Sequence, residues 1–409
     1  MIAAAAAALI AVVGHRDSKP PVLRSGSLPA EAFVGSIGVV THLSYTDTAY
    51  GRAADVIARL RELGVRNIRE AAPPPTGPLA DGLRAAHAAG IGATVASGDP
   101  ESDPAAWVAQ AAAVLGGGLS AVEAPNEIDN RNDPSWPAKL RTYMPALAAA
   151  AHKEAPGAAV IGPSFIDPSS RAQLPGDLPG LFNAHPYSGG ELPEPTLELA
   201  LGDWHATAPD RGAEFTETGY HNALNATAGQ PPASEEAAAV YLPRLLLTAF
   251  GAGVRRTFIY ELLDEQPDPG LAEPEWHFGL LRNDFSPKPA FTAIKTLIAA
   301  VRNTPGPADK AVPWDLQTDD EDEIERVVLE RPDGSLAIAL WRPVSVWDRD
   351  KRKPLDPGKL PVKLTFGGFG AHDVEVWRPS VSTQPVMRSK LTRGLSLQLE
   401  GDVVLVSLR

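Results

Sequence analysis

The chain contains no cysteine among its 409 residues. This absence excludes disulfides, cysteine-based zinc sites and thiol nucleophiles. The spacings His-x-x-x-His and His-Glu-x-x-His are also missing, which argues against a zinc hydrolase.

Basic residues are scarce as well, since 37 Lys and Arg stand against 50 Asp and Glu, for a net charge of −13. We therefore expect no nucleic-acid partner, because phosphate binding requires a dense basic surface.

Long apolar runs are missing, with one exception at the N-terminus. Residues 2–13 (IAAAAAALIAVV) are apolar throughout. This run is too short to span a bilayer but has the length of a signal-peptide core, although no basic residues precede it. We interpret residues 1–32 as a leader with an N-terminal extension, and we expect an exported protein, extracellular or in the cell envelope, with no membrane span in its mature form. An Ala-rich helix that stays attached to the domain is the alternative.

Residues 33–306 alternate short apolar runs with longer amphipathic segments, a pattern typical of parallel βα units. Helices are predicted at, for example, residues 51–64 and 234–252. Eight such units match a (β/α)8 TIM barrel. An open doubly wound sheet is less favoured, because no Gly-x-Gly-x-x-Gly turn follows the first strand. The eight predicted strands cover residues 35–43, 65–71, 91–96, 119–125, 158–164, 181–186, 213–218 and 256–262.

Residues 307–409 have a different pattern. Two alternating runs surround Pro332, Asp333 and Gly334 in "RVVLERPDGSLAIALW", which is a hairpin signature. More short alternating runs follow up to the C-terminus. This region is predicted to form a small antiparallel β-sandwich after the barrel.

Two carboxylates follow predicted barrel strands. Asn126 and Glu127 come after the fourth strand, and Glu217 lies at the end of the seventh. A TIM barrel places its reactive groups at the carboxyl ends of its strands. Two carboxylates at one barrel mouth suit glycosidic cleavage, in which one donates a proton and the other acts as nucleophile or base.

Several motifs occur at regular positions along this region: "GVVTHLSYTDTAYG" at strand one, "LGVRNIREA" at strand two, "PNE" after strand four, "NAHPY" at strand six, "FTETG" at strand seven and "YELLDEQPDPG" after strand eight. In this order they resemble the clan A retaining TIM-barrel glycoside hydrolases, and family 39 in particular. The resemblance covers roughly residues 35–300. It implies a carbohydrate substrate, no metal and no organic cofactor. It also implies that Glu127 is the general acid/base and Glu217 the nucleophile.

Two further residues have candidate roles beside these carboxylates. Arg69, at the end of the second strand, is expected to hold the nucleophile ionised through charge-assisted hydrogen bonds. The alternative is a surface salt bridge. Asn126 is expected to bind the sugar 2-hydroxyl, unless it only forms a turn after Pro125.

The remaining candidates are predicted to bind the nucleophile or the sugar. We expect either Tyr187 or Tyr220 to donate a hydrogen bond to the nucleophile. His185 is expected to bind a hydroxyl group of the sugar, unless it is a core histidine. His42 and Glu261 are further sugar contacts. Tryptophans stack on sugar faces, and those predicted in loops or at loop edges are Trp276, Trp136 and Trp204.

A barrel that binds carbohydrate without cleaving it is the alternative function, because a fold alone does not establish catalysis. The presence of both carboxylates favours the enzyme. The strand-eight segment "FIYELLDE" lacks the tryptophan that the resembling enzymes often use as a sugar platform. The sequence carries no signal for the sugar, its linkage, endo or exo action, or an oligomeric state.

Overall fold

The computed structural model describes residues 26–97, 99–302, 313–318, 321–367 and 371–409. The apolar run of the predicted leader and the predicted boundary between residues 306 and 307 lie outside these ranges. The described chain begins with strand β1 (Ser27–Pro29) and helix α1 (Ala30–Ser36), so the predicted boundary at residues 32 and 33 lies inside α1. Among the described residues, no helix has both the length and the apolar character needed to cross a bilayer.

Eight parallel strands follow α1 and form a closed barrel. Consecutive strands pair from β2 to β6 and from β7 to β9, and β2 pairs with β9. Backbone hydrogen bonds from Leu181 to Val160 and from Gly162 to Leu181 close the ring between β6 and β7. The eight-stranded barrel is thus confirmed. Its strands are β2 (Ile37–Val40), β3 (Asn67–Ala71), β4 (Gly92–Ala96), β5 (Leu119–Glu123), β6 (Ala159–Ile161), β7 (Phe182–Ala184), β8 (Ala213–Thr218) and β9 (Arg256–Ile259).

Helices connect the barrel strands, and α7 shows how the sequence sets their ends. The hydroxyl of Ser234 accepts a hydrogen bond from the amide of Ala237 at the start, and Gly253 ends the helix in the left-handed region at φ 101°. Glycine adopts this conformation without steric cost. The helices are α2 (Ala53–Leu63), α3 (Pro78–Ala88), α4 (Pro104–Leu115), α5 (Trp136–Glu154), α6 (Glu194–Thr207), α7 (Glu235–Ala252) and α8 (Pro289–Arg302).

The C-terminal region contains a six-stranded sheet, in the order β1-β11-β12-β19-β16-β17, and a three-stranded sheet, β10-β15-β18. Its pairings are antiparallel, as predicted, apart from β1, which runs parallel to β11. The N-terminal extension therefore completes a sheet of the C-terminal domain. The strands are β10 (Trp314–Gln317), β11 (Glu325–Glu330), β12 (Leu336–Trp341), β13 (Trp347–Asp348), β14 (Lys353–Pro354), β15 (Leu360–Phe366), β16 (His372–Trp377), β17 (Met387–Leu391), β18 (Gly394–Leu399) and β19 (Val404–Leu408).

Strand β12 joins the two hydrophobic cores of the molecule. All six of its residues are buried. Successive side chains of a strand point to opposite faces. Leu336, Ile338 and Leu340 accordingly lie in the core of the sandwich. Ala337, Ala339 and Trp341 lie in the core that is continuous with the barrel.

A buried ion pair fastens the barrel to the β domain. Arg244 of α7 is fully buried, and it donates to both carboxylate oxygens of Glu194 at 2.8 and 2.5 Å. Its remaining nitrogen donates to the carbonyls of Val344 and Gly401 in the β domain. The indole of Trp341 also donates to Glu194, at 3.1 Å. The two charges thus pair with each other inside the barrel, and each also forms hydrogen bonds to the β domain.

Replacement of Arg244 by methionine should destabilise the protein, because Glu194 would remain as an uncompensated buried charge. We expect the free energy of unfolding in urea to fall by about 3–5 kcal/mol. Arg388→Met is the matched control, since it breaks an exposed pair with Glu375 and should change stability by less than about 1 kcal/mol. Equal effects of the two substitutions would contradict this view of the junction.

Candidate active site

Five acidic and basic side chains meet at the carboxyl ends of the barrel strands. They are brought together because the ends of parallel strands share one rim. Arg69, Glu123 and Glu217 lie on β3, β5 and β8, whereas Glu127 and His185 lie in the loops after β5 and β7. One carboxylate oxygen of Glu127, one of Glu217 and a ring nitrogen of His185 all lie within 4.8 Å of one another. The two predicted catalytic carboxylates thus lie close together at this rim.

Arg69 is the centre of this network, with only 7% of the residue exposed. It donates to Glu217 at 2.6 Å, to Glu123 at 2.6 and 2.9 Å, and to Asn126 Oδ1 at 2.8 Å. Burial alone would lower the pKa of the guanidinium, but the charges of Glu123 and Glu217 raise it above its ordinary value. Arg69 is therefore a permanent buried cation and not the partner of a surface salt bridge.

Glu217 is held in its ionised form. Its other oxygen accepts a hydrogen bond from the hydroxyl of Tyr187 at 2.8 Å. Burial raises the pKa of Glu217, but the charges of His185 and Arg69 and the hydrogen bonds from Tyr187 and Arg69 outweigh it, so that the pKa is lower than usual. An ionised carboxylate with both oxygens oriented is suited to nucleophilic attack.

Tyr220, the alternative donor to Glu217, does not reach it. Its hydroxyl donates instead to the backbone carbonyl of Glu191, at 3.0 Å. The residue lies beyond the end of β8 and packs against Tyr241 of α7, with ring centroids 5.5 Å apart. Tyr187, and not Tyr220, is therefore the residue that donates to Glu217.

A chain of hydrogen bonds fixes the tautomer of His185. Its Nε2 lies 2.9 Å from the hydroxyl of Thr216. That hydroxyl also lies 2.9 Å from a carboxylate oxygen of Glu123 and 3.0 Å from the amide oxygen of Asn183, and donation of its single proton to Nε2 would leave both oxygens facing it without a hydrogen. Because both are acceptors, the Thr216 oxygen must accept from His185, and Nε2 carries a hydrogen.

The other nitrogen of His185 shares a proton with the acid/base candidate. Nδ1 lies 2.9 Å from Oε1 of Glu127. Either a protonated Glu127 donates to neutral His185, or a protonated His185 donates to the Glu127 carboxylate. Burial alone would lower the pKa of His185, but the negative charges of Glu217 and Glu127 raise it above its ordinary value. The pair therefore retains a proton next to Glu217.

The loop after β5 aims Glu127 and Asn126 at this network. Glu127 adopts a left-handed backbone conformation, φ 43° and ψ 48°, which is uncommon for residues other than glycine. Its amide donates to the hydroxyl of Ser164 at 3.2 Å. An arginine only donates, so the oxygen of Asn126 must face Arg69. The NH₂ group of Asn126 is then the part that can donate to a ligand.

An aromatic wall borders the pocket. Tyr260, directly after β9, lies with its ring centroid 5.5 Å from His42, 5.3 Å from Phe278 and 6.5 Å from Tyr187. It supplies an aromatic side chain at the end of a strand segment that contains no tryptophan. Sequence reasoning missed Tyr260 and Phe278, although the aromatic residue in "FIYEL" was a usable signal.

His42 and Glu261 lie beside this wall and contact each other. Nε2 of His42 is 3.4 Å from Oε2 of Glu261. Glu261 is completely buried and accepts a hydrogen bond from Tyr50 at 2.7 Å. Their predicted contacts with a sugar stay predictions.

Of the three tryptophans that were candidates for stacking on a sugar, two are buried. Trp136 and Trp204 are each only 6% exposed, because they pack into the core from α5 and α6. Trp276 is partly exposed in the turn Pro274–His277. The pKa of its neighbour Glu275 is raised to about 7. Burial is the main cause, followed by nearby negative charges that include Glu217 and Glu127. Trp276 therefore remains a candidate.

No protein-family model matches the sequence, and a comparison with curated proteins finds no match. Solved structures do match. A family 39 glycoside hydrolase from the gut symbiont Bacteroides cellulosilyticus WH2 has a TM-score of 0.63 at 16% identity, covering 94% of this chain and 82% of the other. The GH39 enzyme from Xanthomonas axonopodis pv. citri has a TM-score of 0.59 at 17% identity, covering 98% and 99%. A monomeric β-xylosidase from Caulobacter crescentus CB15 has a TM-score of 0.58 at 17% identity, covering 95% and 98%. This chain shares their fold, a TIM barrel with an added β domain.

Replacement of Tyr187 by phenylalanine should raise the pKa of Glu217, because it removes a hydrogen bond to the ionised carboxylate. The titration can be followed by NMR of protein labelled with ¹³C at the glutamate carboxyl groups, with the Glu217 signal assigned by Glu217→Gln. Tyr220→Phe removes the same hydroxyl group from a neighbouring position and should leave the titration unchanged. A shift with Tyr220→Phe instead would contradict the assignment of the donor.

Proposed function

We propose that this protein is a retaining glycoside hydrolase that cleaves O-glycosidic bonds of oligo- or polysaccharides by double displacement. The observation that carries the proposal is the close approach of Glu127 and Glu217, with one oxygen of each within 4.8 Å of the other. Retaining enzymes have carboxyl groups about 5–5.5 Å apart, whereas inverting enzymes need roughly 6.5–9.5 Å to admit a water. The spacing in this site favours direct attack by a carboxylate.

In the first step, Glu217 attacks the anomeric carbon of the sugar. The bond from that carbon to the leaving group breaks as Glu127 transfers its proton to the glycosidic oxygen. Arg69 and Tyr187 orient the attacking carboxylate through their hydrogen bonds to it. The product of this step is an ester between the sugar and Glu217.

In the second step, a water molecule attacks the anomeric carbon and releases Glu217, while Glu127 takes up the proton of the water. His185 supports both steps, because its Nδ1 can donate to the Glu127 carboxylate or accept from the protonated acid. Asn126 is placed to donate its NH₂ group to the sugar 2-hydroxyl, a contact that strengthens in the transition state. No step draws on a cofactor.

The comparisons support a choice of substrates for the first assays. One structural neighbour is a β-xylosidase, so aryl β-xylosides belong in a panel of aryl glycosides and polysaccharides. Binding without hydrolysis across that panel would favour the non-catalytic scaffold.

The apolar run at residues 2–13 supports export, and we include an extracellular or cell-envelope location in the proposal.

Substitution of the two carboxylates by alanine should have different consequences. Glu217→Ala should abolish turnover, because the nucleophile is lost. Glu127→Ala should lower the rate by about 10²–10⁴-fold on substrates with poor leaving groups, spare the first step for activated aryl glycosides, and be partly rescued by azide, which needs no general base. Steady-state kinetics with and without azide measure these effects.

The control for both variants is Glu321→Ala, which removes an exposed carboxylate of the β domain and should leave turnover unchanged. Circular dichroism verifies that each variant is folded. Azide rescue of Glu217→Ala, with none for Glu127→Ala, would show that the two roles are reversed.

A further inference from the structure

Two consecutive residues of β8 both contribute to the network around the nucleophile. The hydroxyl of Thr216 lies 2.9 Å from a ring nitrogen of His185. The next residue, Glu217, accepts hydrogen bonds from Arg69 and Tyr187. Successive side chains of a regular strand point to opposite faces, so a regular strand would direct only one of the two towards this network. The geometry of β8 must therefore be irregular at this position.

A register shift between β8 and β9 provides this irregularity. The two strands pair through Phe215 and Thr257, and next through Thr218 and Ile259. Phe215 to Thr218 is a step of three residues, whereas Thr257 to Ile259 is a step of two. An extra residue of this kind, a β-bulge, re-aims side chains and is frequent beside active sites. Thr218 is the residue at which pairing with β9 resumes.

Thr218 is bonded to the segments on both sides of β8. Its hydroxyl donates to the carbonyl of Pro186, in the loop after β7, at 2.7 Å. Its own carbonyl accepts from the amide of Tyr260, directly after β9, at 2.8 Å. The residue is 0% exposed, so its hydroxyl is shielded from solvent. Thr218 thus fixes the loop after β7 against the strand that carries Glu217.

Pro186 lies between the two side chains of this loop that bind the catalytic carboxylates. His185 shares a proton with Glu127, and Tyr187 donates to Glu217. The amide of Tyr187 donates to the carbonyl of His185 at 2.9 Å, which is the three-residue pattern of a γ-turn centred on Pro186. Proline has no N–H, so its backbone is hydrogen-bonded only through its carbonyl. The carbonyl that accepts the β8 hydroxyl therefore belongs to the central residue of the turn.

We propose that Thr218 is a positioning residue of the active site. Its hydroxyl holds the turn at Pro186 and, with it, the two side chains on either side of that proline. Both of these side chains bind a catalytic carboxylate, so Thr218 acts through them and not on the substrate. The inference rests on the proposed function for the roles of the two carboxylates. A displacement of about 1 Å in such groups can cost about 10²-fold in rate, so the loss of this one hydroxyl should be measurable.

The chain offers a matched control for the loss of a buried threonine hydroxyl. Thr248 of α7 is also 0% exposed, and its hydroxyl has no hydrogen-bond partner among the described residues. Replacement by valine exchanges the hydroxyl for a methyl group of similar size at either position. Thr218→Val therefore removes a buried hydrogen bond, whereas Thr248→Val removes none.

Steady-state kinetics of the full-length protein on activated aryl glycosides test the proposal. We expect Thr218→Val to lower kcat by about 10–10²-fold with little change in KM, since the displaced groups act mainly in the transition state. Thr248→Val should keep wild-type kinetics. Thr218→Ser retains the hydroxyl and should keep most of the activity. Circular dichroism verifies that each variant is folded, and Thr218→Ala takes the place of the valine variant if that one does not fold.

The titration of Glu217, followed by ¹³C NMR of labelled glutamate carboxyl groups, gives a readout that does not depend on activity. Arg69 and Tyr187 donate to this carboxylate, and Nδ1 of His185 lies 3.6 Å from it. We expect Thr218→Val to raise the pKa of Glu217, because it displaces the tyrosine donor. In the Tyr187→Phe background the same substitution should add a smaller shift, because that hydrogen bond is already lost.

An unchanged kcat and an unchanged Glu217 titration in folded Thr218→Val would overturn the proposal. It is equally overturned if Thr248→Val or Thr218→Ser loses as much activity as Thr218→Val, since the hydrogen bond to Pro186 would then not be the cause. A wild-type protein that is inactive on every glycoside would contradict the proposed function, and the Glu217 titration would then decide the role of Thr218 by itself.

Discussion

The site depends on one buried cation, Arg69. Its guanidinium joins three barrel strands, because it binds Glu123 of β5 and Glu217 of β8 from its own position on β3. A buried carboxylate would normally take up a proton to avoid the loss of hydration. A single permanent positive charge between two carboxylates opposes this and keeps Glu217 ionised, although only 9% of the residue is exposed.

The same cation also determines the hydrogen bonding of the acid/base candidate. Arg69 fixes the carboxylate of Glu123, which can then accept from Thr216. Thr216 must in turn accept from His185, so Nδ1 of His185 is left to share a proton with Glu127. Glu217 and the pair of Glu127 and His185 are thus coupled through one network. Two carboxylates with different environments are a known basis for acid and base roles at one pH.

The barrel could be predicted because its strands are short apolar runs that alternate with amphipathic helices, and because strand ends locate reactive residues. Glu127, Glu217 and Arg69 were found in this way. Glu123 was missed, although a charged residue inside an apolar strand was an available signal, because its partner Arg69 lies 54 residues away. Sequence spacing also could not separate Tyr187 from Tyr220, since their hydroxyl directions depend on packing. The pairing of β1 with β11 links residues about 300 positions apart and leaves no local pattern.

The central claim is that Glu217 attacks the sugar directly because the two carboxylates lie too close together for a water between acid and base. Proton NMR of the first-formed sugar, recorded before mutarotation, tests this most directly. The account predicts that the released anomer has the same configuration as the substrate. Initial release of the opposite anomer would show that a water attacks in one step, and it would contradict both the carboxylate spacing and the role of Glu217 as nucleophile.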